Sequence, residues 1–152
     1  MKYIIVVLLV MIFVLAIFLT ICSETFEDTK LELLIREALG KSSGDISASE
    51  LKGLKALEAR GKEIKSLRGI ECCSSLLFLL LERNSIIDLS PLAGLTSLET
   101  LALNENQISD ISPLAGLASL KWLILKGNPL NDEARNVIIP KFTKEGVEVY
   151  YK

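Results

Sequence analysis

The residues best equipped for chemistry in this chain are three cysteines, Cys22, Cys72 and Cys73. Cys72 and Cys73 are adjacent, and neighbours in sequence seldom meet the geometry a disulfide between them requires. Their spacing is not that of a zinc site, whose ligands come in separated pairs. Histidine is absent, which removes imidazole-based triads and His-containing metal centres. The acidic residues are scattered, with no carboxylate pair, and no Gly-rich loop is present to cradle phosphate. These residue types argue against an enzyme, and no cofactor is expected. Two thiol chemistries remain: lipidation at Cys22, and an intermolecular disulfide through Cys72 if that thiol lies near the surface.

Cys22 closes a segment with a function of its own. Residues 1–22 carry one charge, Lys2, followed by an unbroken apolar run over 3–19. That length approaches the roughly 20 residues a helix needs to cross a bilayer. Three readings stay open: an uncleaved signal anchor, a lipoprotein signal ending at Cys22, and a cleaved signal peptide. The exit Leu19-Thr20-Ile21-Cys22 resembles a lipobox, although Ile21 stands where a small residue belongs, and it has no A-x-A-like cleavage site. All three readings place the remainder across a membrane, with Lys2 on the near side and Glu24, Glu27 and Asp28 on the far side. Without Lys2, 16 basic residues face 19 acidic ones, a net charge of about −3. Nucleic acid is therefore not an expected partner, because its recognition needs concentrated positive charge.

The positioning elements emerge when the sequence is shifted by 22 residues. Leu92 then falls on Leu114, Leu95 on Leu117, Leu98 on Leu120, Leu101 on Leu123 and Leu103 on Leu125. Asn106 falls on Asn128. One period earlier the same slots hold Ile70, Cys73, Leu76, Leu79, Leu81 and Asn84, and before that Leu51, Leu54, Leu57, Ala59 and Lys62. Such self-similarity is the signature of a stacked-repeat fold. In each L-x-L the leucines lie two apart, so a strand points both inward. Asn84, Asn106 and Asn128 follow each strand at a turn, where an amide can donate to and accept from backbone groups. The Ser-Pro pairs suit the cap and first residue of a short helical turn on the opposite side. By its period Cys73 occupies a leucine slot and reads as a small buried hydrophobe.

The motif L-x-x-L-x-L-x-x-N, read here as Leu98, Leu101, Leu103 and Asn106, resembles the leucine-rich repeat in its 22-residue form. Bacterial internalin-like proteins carry that form, and the likeness runs from about residue 26 to the end. It implies an α/β fold: a right-handed leucine-rich-repeat solenoid with a short parallel sheet on its concave face and short helical turns on its convex face. A helical N-terminal cap is expected, and the apolar run adds one transmembrane helix ahead of it. The division is 1–22 signal anchor, 23–45 linker and helical cap, 46–133 four repeats and 134–152 C-terminal cap. Solenoids need such caps because their end repeats expose raw core. The first cap reads as a helix over 27–39, with Leu31, Leu34, Ile35, Ala38 and Leu39 on one face, Thr25 or Asp28 as N-cap and Gly40 as stop. The second reads as a helix over 132–143, broken at Pro140, and then an edge strand in GVEVYY.

Between the inward leucines lie the residues of the concave face. They form three rows: Ala56, Phe78, Thr100 and Trp122; then Glu58, Leu80, Ala102 and Ile124; then Arg60, Glu82, Asn104 and Lys126. Phe78, Leu80, Trp122 and Ile124 make an apolar patch, Thr100 and Ala102 its floor, and Arg60, Glu82 and Lys126 its charged rim. Aromatic anchors inside a polar rim are typical of binding surfaces. The competing reading is that bulky residues here only strengthen the strands. The expected function is a membrane-tethered module, on the extracytoplasmic side, holding a protein or peptide on this sheet. The alternatives are a weakly self-associating structural element and an accessory regulator of another envelope protein.

Overall fold

The structure is a computed structural model and describes residues 26–152. The expected membrane segment and the lipidation candidate Cys22 lie outside the described residues. Among the described residues, no helix is long and apolar enough to cross a membrane.

Helix α1 (Thr29–Ala38) forms the N-terminal cap. Asp28 is its N-cap and accepts from the Lys30 N–H. Leu31 and Ile35 are fully buried against the first repeat, Leu34 and Leu39 pack at the margin, and Ala38 is exposed, contrary to its expected place on the buried face. Burial pushes the Asp28 carboxyl up, but the N–H groups of Lys65, Lys30 and Ser66 outweigh it and hold the group below its ordinary value.

A second helix, α2 (Ala48–Gly53), opens the first repeat. Its start is a reciprocal capping box, in which the Ser47 hydroxyl accepts the Glu50 N–H and the Glu50 carboxylate accepts the Ser47 N–H. Glu50 also pairs with Lys41 at 2.9 Å. The Ser47 hydroxyl, then the Ser47 N–H and the Lys41 ammonium, pull the Glu50 carboxyl down to about 2. A carboxyl depressed in the folded state stabilises the fold above its unfolded value and loses that contribution as pH falls. Glu50 should therefore contribute fully above about pH 4.5 and stop contributing by about pH 2. The expected result is that Glu50→Gln flattens the fall in stability across this window, measured by denaturant unfolding at several pH values. An unchanged slope would refute the assignment. Asp28 and Asp88, also lowered, retain their share in the variant.

The sheet has five parallel strands in sequence order: β1 (Ala56–Glu58), β2 (Phe78–Leu80), β3 (Thr100–Ala102), β4 (Trp122–Ile124) and β5 (Glu148–Tyr150). β1 to β4 pair at the 22-residue offset, Leu57 with Leu79, Leu79 with Leu101 and Leu101 with Leu123. These inward leucines are at most 2% exposed. Short 3₁₀ turns stack behind the sheet at Ile70–Cys72, Ser90–Leu92 and Ser112–Gly116. The serines do not cap these turns. The Ser90 N–H and hydroxyl instead donate to the two carboxylate oxygens of Asp88, and Ser112 does the same to Asp110. Asp is the better acceptor because it is charged and acceptor-only. Those two bonds from Ser90 hold the Asp88 carboxyl below its ordinary value.

The C-terminal cap keeps its helix continuous through the proline by widening it. A π-helical turn (Ala134–Ile138) runs into helix α3 (Ile139–Lys144), with Pro140 in its first turn. Proline has no N–H to give the preceding turn, and a widened turn accommodates the ring. Ile138, Ile139 and Phe142 seal the last repeat. β5 then joins the sheet beside β4, matching Trp122 with Glu148, so that it departs from the 22-residue register.

Cys73 fills its leucine slot as a fully buried free thiol. Cys72 does not lie near the surface as expected: it is 6% exposed and disulfide-bonded.

Candidate protein-binding face

The three asparagines sit on the turn that follows each strand and serve the backbone of two repeats at once. Asn84 Nδ2 donates to the carbonyls of Ala59 and Leu81 at 2.7 and 2.8 Å, and its Oδ1 accepts from the N–H groups of Lys62 and Ile64. Asn106 bonds likewise to Leu81 O, Leu103 O and Ile86 N–H, and Asn128 to Leu103 O, Leu125 O and Ile108 N–H. Each side chain thus satisfies its own turn and the turn one repeat back. This explains Lys62 in the first repeat: no earlier repeat precedes it, so no such backbone awaits an amide. The residue before each of these slots has positive φ: Gly61, Arg83, Glu105 and Gly127. At Gly127 a β-carbon would also meet Glu105 Cγ at 3.3 Å, so glycine suits that turn on both counts.

With the turns fixed, the outward residues fall into the expected rows. Phe78, Thr100 and Trp122 are register partners across β2, β3 and β4, as are Leu80, Ala102 and Ile124. Phe78 is 43% and Trp122 42% exposed, while Leu80, Ile124 and Thr100 are half-buried. Two strand spacings, about 10 Å, separate the two aromatic residues. Between them in register lies Thr100, whose smaller side chain leaves a notch between the two rings. Ala102 is 1% exposed and so is not a contact surface in its own right: its methyl is shaded by the larger Leu80 and Ile124 on either side.

The rim also differs from expectation. Arg60 Nε lies 3.1 Å from Glu82 Oε2, and the Glu82 side chain is only 15% exposed. Glu82 is therefore committed to the fold rather than offered to a partner. Its Oε2 has this ion pair but no directed hydrogen bond. Lys126 is exposed and Asn104 half-buried. At the β1 end a cleft of about 410 Å³ opens between α1 and the sheet, lined by Leu34, Glu37, Glu58, Arg60 and Lys62.

Two residues of this face escaped the sequence reading. β5 carries Glu148 beside Trp122 and Tyr150 beside Ile124. Tyr150 is 54% exposed and donates to Glu148 at 2.8 Å, and that bond raises its hydroxyl above the ordinary value. The apolar surface therefore continues across β5. The alternation in VEVYY held the signal, because Glu148 and Tyr150 lie opposite in phase to Val147 and Val149. Among the described residues, no group of three or more His, Cys, Asp or Glu could hold a metal ion.

Residues 74–116 match the family model for leucine-rich repeats in two copies. With the stacked strands, buried leucines and bridging asparagines, this makes the chain a leucine-rich-repeat protein. Within that class it is internalin-like. A crystal structure of the internalin InlF from Listeria monocytogenes is 31% identical with a TM-score of 0.76, over 85% of this chain and 37% of that one. This chain thus spans little more than a third of that internalin. The functional domain of InlJ from the same organism, which includes a cysteine ladder, shares the fold at 23% identity and a TM-score of 0.59, over 70% and 24% of the two chains. The CBM51-2 and INT domains of Clostridium perfringens ZmpB match at 28% identity and a TM-score of 0.50, over 66% and 19%. No curated protein matches the sequence.

Proposed function

We propose that the concave sheet holds a protein or peptide partner, which places an apolar side chain in the notch between Phe78 and Trp122. The observation that carries this reading is two exposed aromatic residues, two strands apart on one sheet, with the smaller Thr100 between them. Aromatic residues so placed lose little side-chain entropy on binding and tend to dominate interface energy. Leu80, Ile124 and Tyr150 widen the apolar contact, and Lys126, Asn104 and Glu148 edge it. We place this module on the extracytoplasmic side of a membrane, tethered by the N-terminal segment. The apolar run over 3–19 and the charge change after it support that placement.

The test combines a photocrosslinking residue at Thr100 with the double substitution Phe78→Ala and Trp122→Ala, in native cells. The expected result is a discrete crosslinked protein that falls at least about tenfold in the double variant, as for loss of interface anchors. Circular dichroism should show an unchanged fold. An undiminished crosslink would sink the reading. Protease accessibility of the repeats in intact and opened cells tests the sidedness.

A second reading has one observation in its favour. β5 ends the sheet order and presents an outer edge to which no described strand pairs. Such edges can template self-association, and light scattering of the chain in detergent distinguishes a dimer from a monomer bound to another protein.

A further inference from the structure

β4 and β5 bring two aromatic rings and one carboxylate to a single corner of the concave face. Trp122 is the register partner of Glu148, and Ile124 is that of Tyr150. Trp122, Glu148 and Tyr150 are exposed, and Ile124 is half-buried. Glu148 thus lies beside Trp122 across the strands and two residues from Tyr150 along its own strand. The two aromatic positions occupy a diagonal of this square, about 8 Å apart from strand spacing and rise. A flat group stacked between two rings needs about 7 Å, the sum of two van der Waals contacts.

The corner carries negative charge that the fold leaves uncompensated. Among the described residues Glu148 forms no ion pair. Its Oε2 accepts from the Tyr150 hydroxyl at 2.8 Å, so Oε1 is available to a ligand. The lysines nearby are directed elsewhere. Lys121, next to Trp122, pairs with Glu99 at 2.7 Å. Lys152 turns its ammonium to the Tyr151 ring, 5.5 Å from the centroid. Lys126 lies four residues past the level that Trp122 and Glu148 share. That is about 13 Å along the strand, more than the Debye length at physiological salt. Ring faces add their own attraction for positive charge through the aromatic quadrupole. Both the carboxylate and the rings therefore favour a cation.

We propose that the corner formed by Trp122, Glu148 and Tyr150 receives an arginine side chain of the protein partner. The assignment rests on the reading of the sheet as a protein-binding face and adds a chemical requirement to it. A guanidinium is planar, so it stacks between the rings while its N–H fork donates to Glu148 Oε1. Its methylenes lie over Ile124. A trimethylammonium head has no N–H for the carboxylate, and lysine has donors but no flat face. Trp122 walls both this corner and the notch at Thr100, so the partner's apolar anchor and its arginine straddle one ring. Their separation is about 7–8 Å, near the spacing of residues i and i+2 in an extended segment.

Trp122 is the only tryptophan in the chain, so its emission reports on this corner directly. The experiment titrates the full chain, in detergent micelles at low salt, with acetyl-arginine amide. The expected result is a saturable change with a Kd of about 10 mM. Acetyl-citrulline amide, the neutral isostere, and choline should each bind at least about fivefold more weakly. These comparisons use the wild type and do not depend on how a variant folds. Glu148→Gln should weaken arginine binding about fivefold and Tyr150→Ala about threefold. Glu58→Gln removes another exposed carboxylate, three strands away on β1, and should change nothing. No saturable change, an equal response to citrulline, or an equal loss in Glu58→Gln would overturn the proposal. Choline binding as tight as arginine would assign the corner to a lipid headgroup and overturn it too. The crosslink at Thr100 tests the protein-binding reading separately: if it stays anchor-dependent while the titration fails, only the arginine is lost.

Discussion

Asn106→Ala should cost about 2 kcal/mol of folding stability, more than a single hydrogen bond is ordinarily worth. The side chain is 6% exposed and serves the Ile86 N–H and the carbonyls of Leu81 and Leu103. Alanine leaves the Ile86 N–H unpaired and takes one of two amide donors from each carbonyl, since Asn84 still serves Leu81 and Asn128 still serves Leu103. An unpaired buried group costs about 1–3 kcal/mol. The control is Lys62→Ala, in the same slot of the first repeat, where the side chain is exposed and an effect within about 0.5 kcal/mol is expected. Urea midpoints of the two variants provide the measurement. Equal midpoints would mean that the asparagines do not bind the repeats together.

The second large effect is expected at the centre of the sheet. Leu101 is fully buried on β3, in register between Leu79 and Leu123. Leu101→Ala removes three carbons from a column held rigid on both sides, so the cavity cannot close easily. The cost should be about 3–4 kcal/mol, within the range seen for leucine truncation in cores. The melting temperature should fall by roughly 10 °C, given the usual conversion for a domain of this size. Trp122→Ala on the neighbouring strand points outward and should cost much less, about 1 kcal/mol or below. If the two variants lose the same stability, the inward and outward assignment of the rows is wrong.

How far the sequence revealed these features depended on whether the repeat carried them. The columns of Leu57, Leu79, Leu101 and Leu123 were legible because burial on a strand has a period of two and stacking has a period of 22. Asn84, Asn106 and Asn128 were legible for the same reason. The concave rows followed from the leucines, as the remaining face of each strand. What escaped lay outside the period or depended on neighbours. β5 pairs with β4 at an offset of its own, so Glu148 and Tyr150 could not be aligned to any row. Helix α2 replaces the 3₁₀ turn of later repeats, although Ser47 and Glu50 at capping-box spacing announced it. Ala102 reads as outward by phase, yet its small side chain is buried by the size of those beside it. The Ser-Pro pairs were correctly placed at the turns, but the capping role went to Asp88 and Asp110, two residues ahead. The disulfide-bonded state of Cys72 is encoded by no local pattern.

The asparagine bonds have a direction. Asn84 reaches back to Ala59 and Ile64, Asn106 to Leu81 and Ile86, and Asn128 to Leu103 and Ile108. No repeat can complete its own turn, because the group that completes it is made some 20 residues later. During synthesis, each turn therefore waits half-finished until its successor emerges. The chain matures from its first repeat to its last, always one repeat behind the growing end.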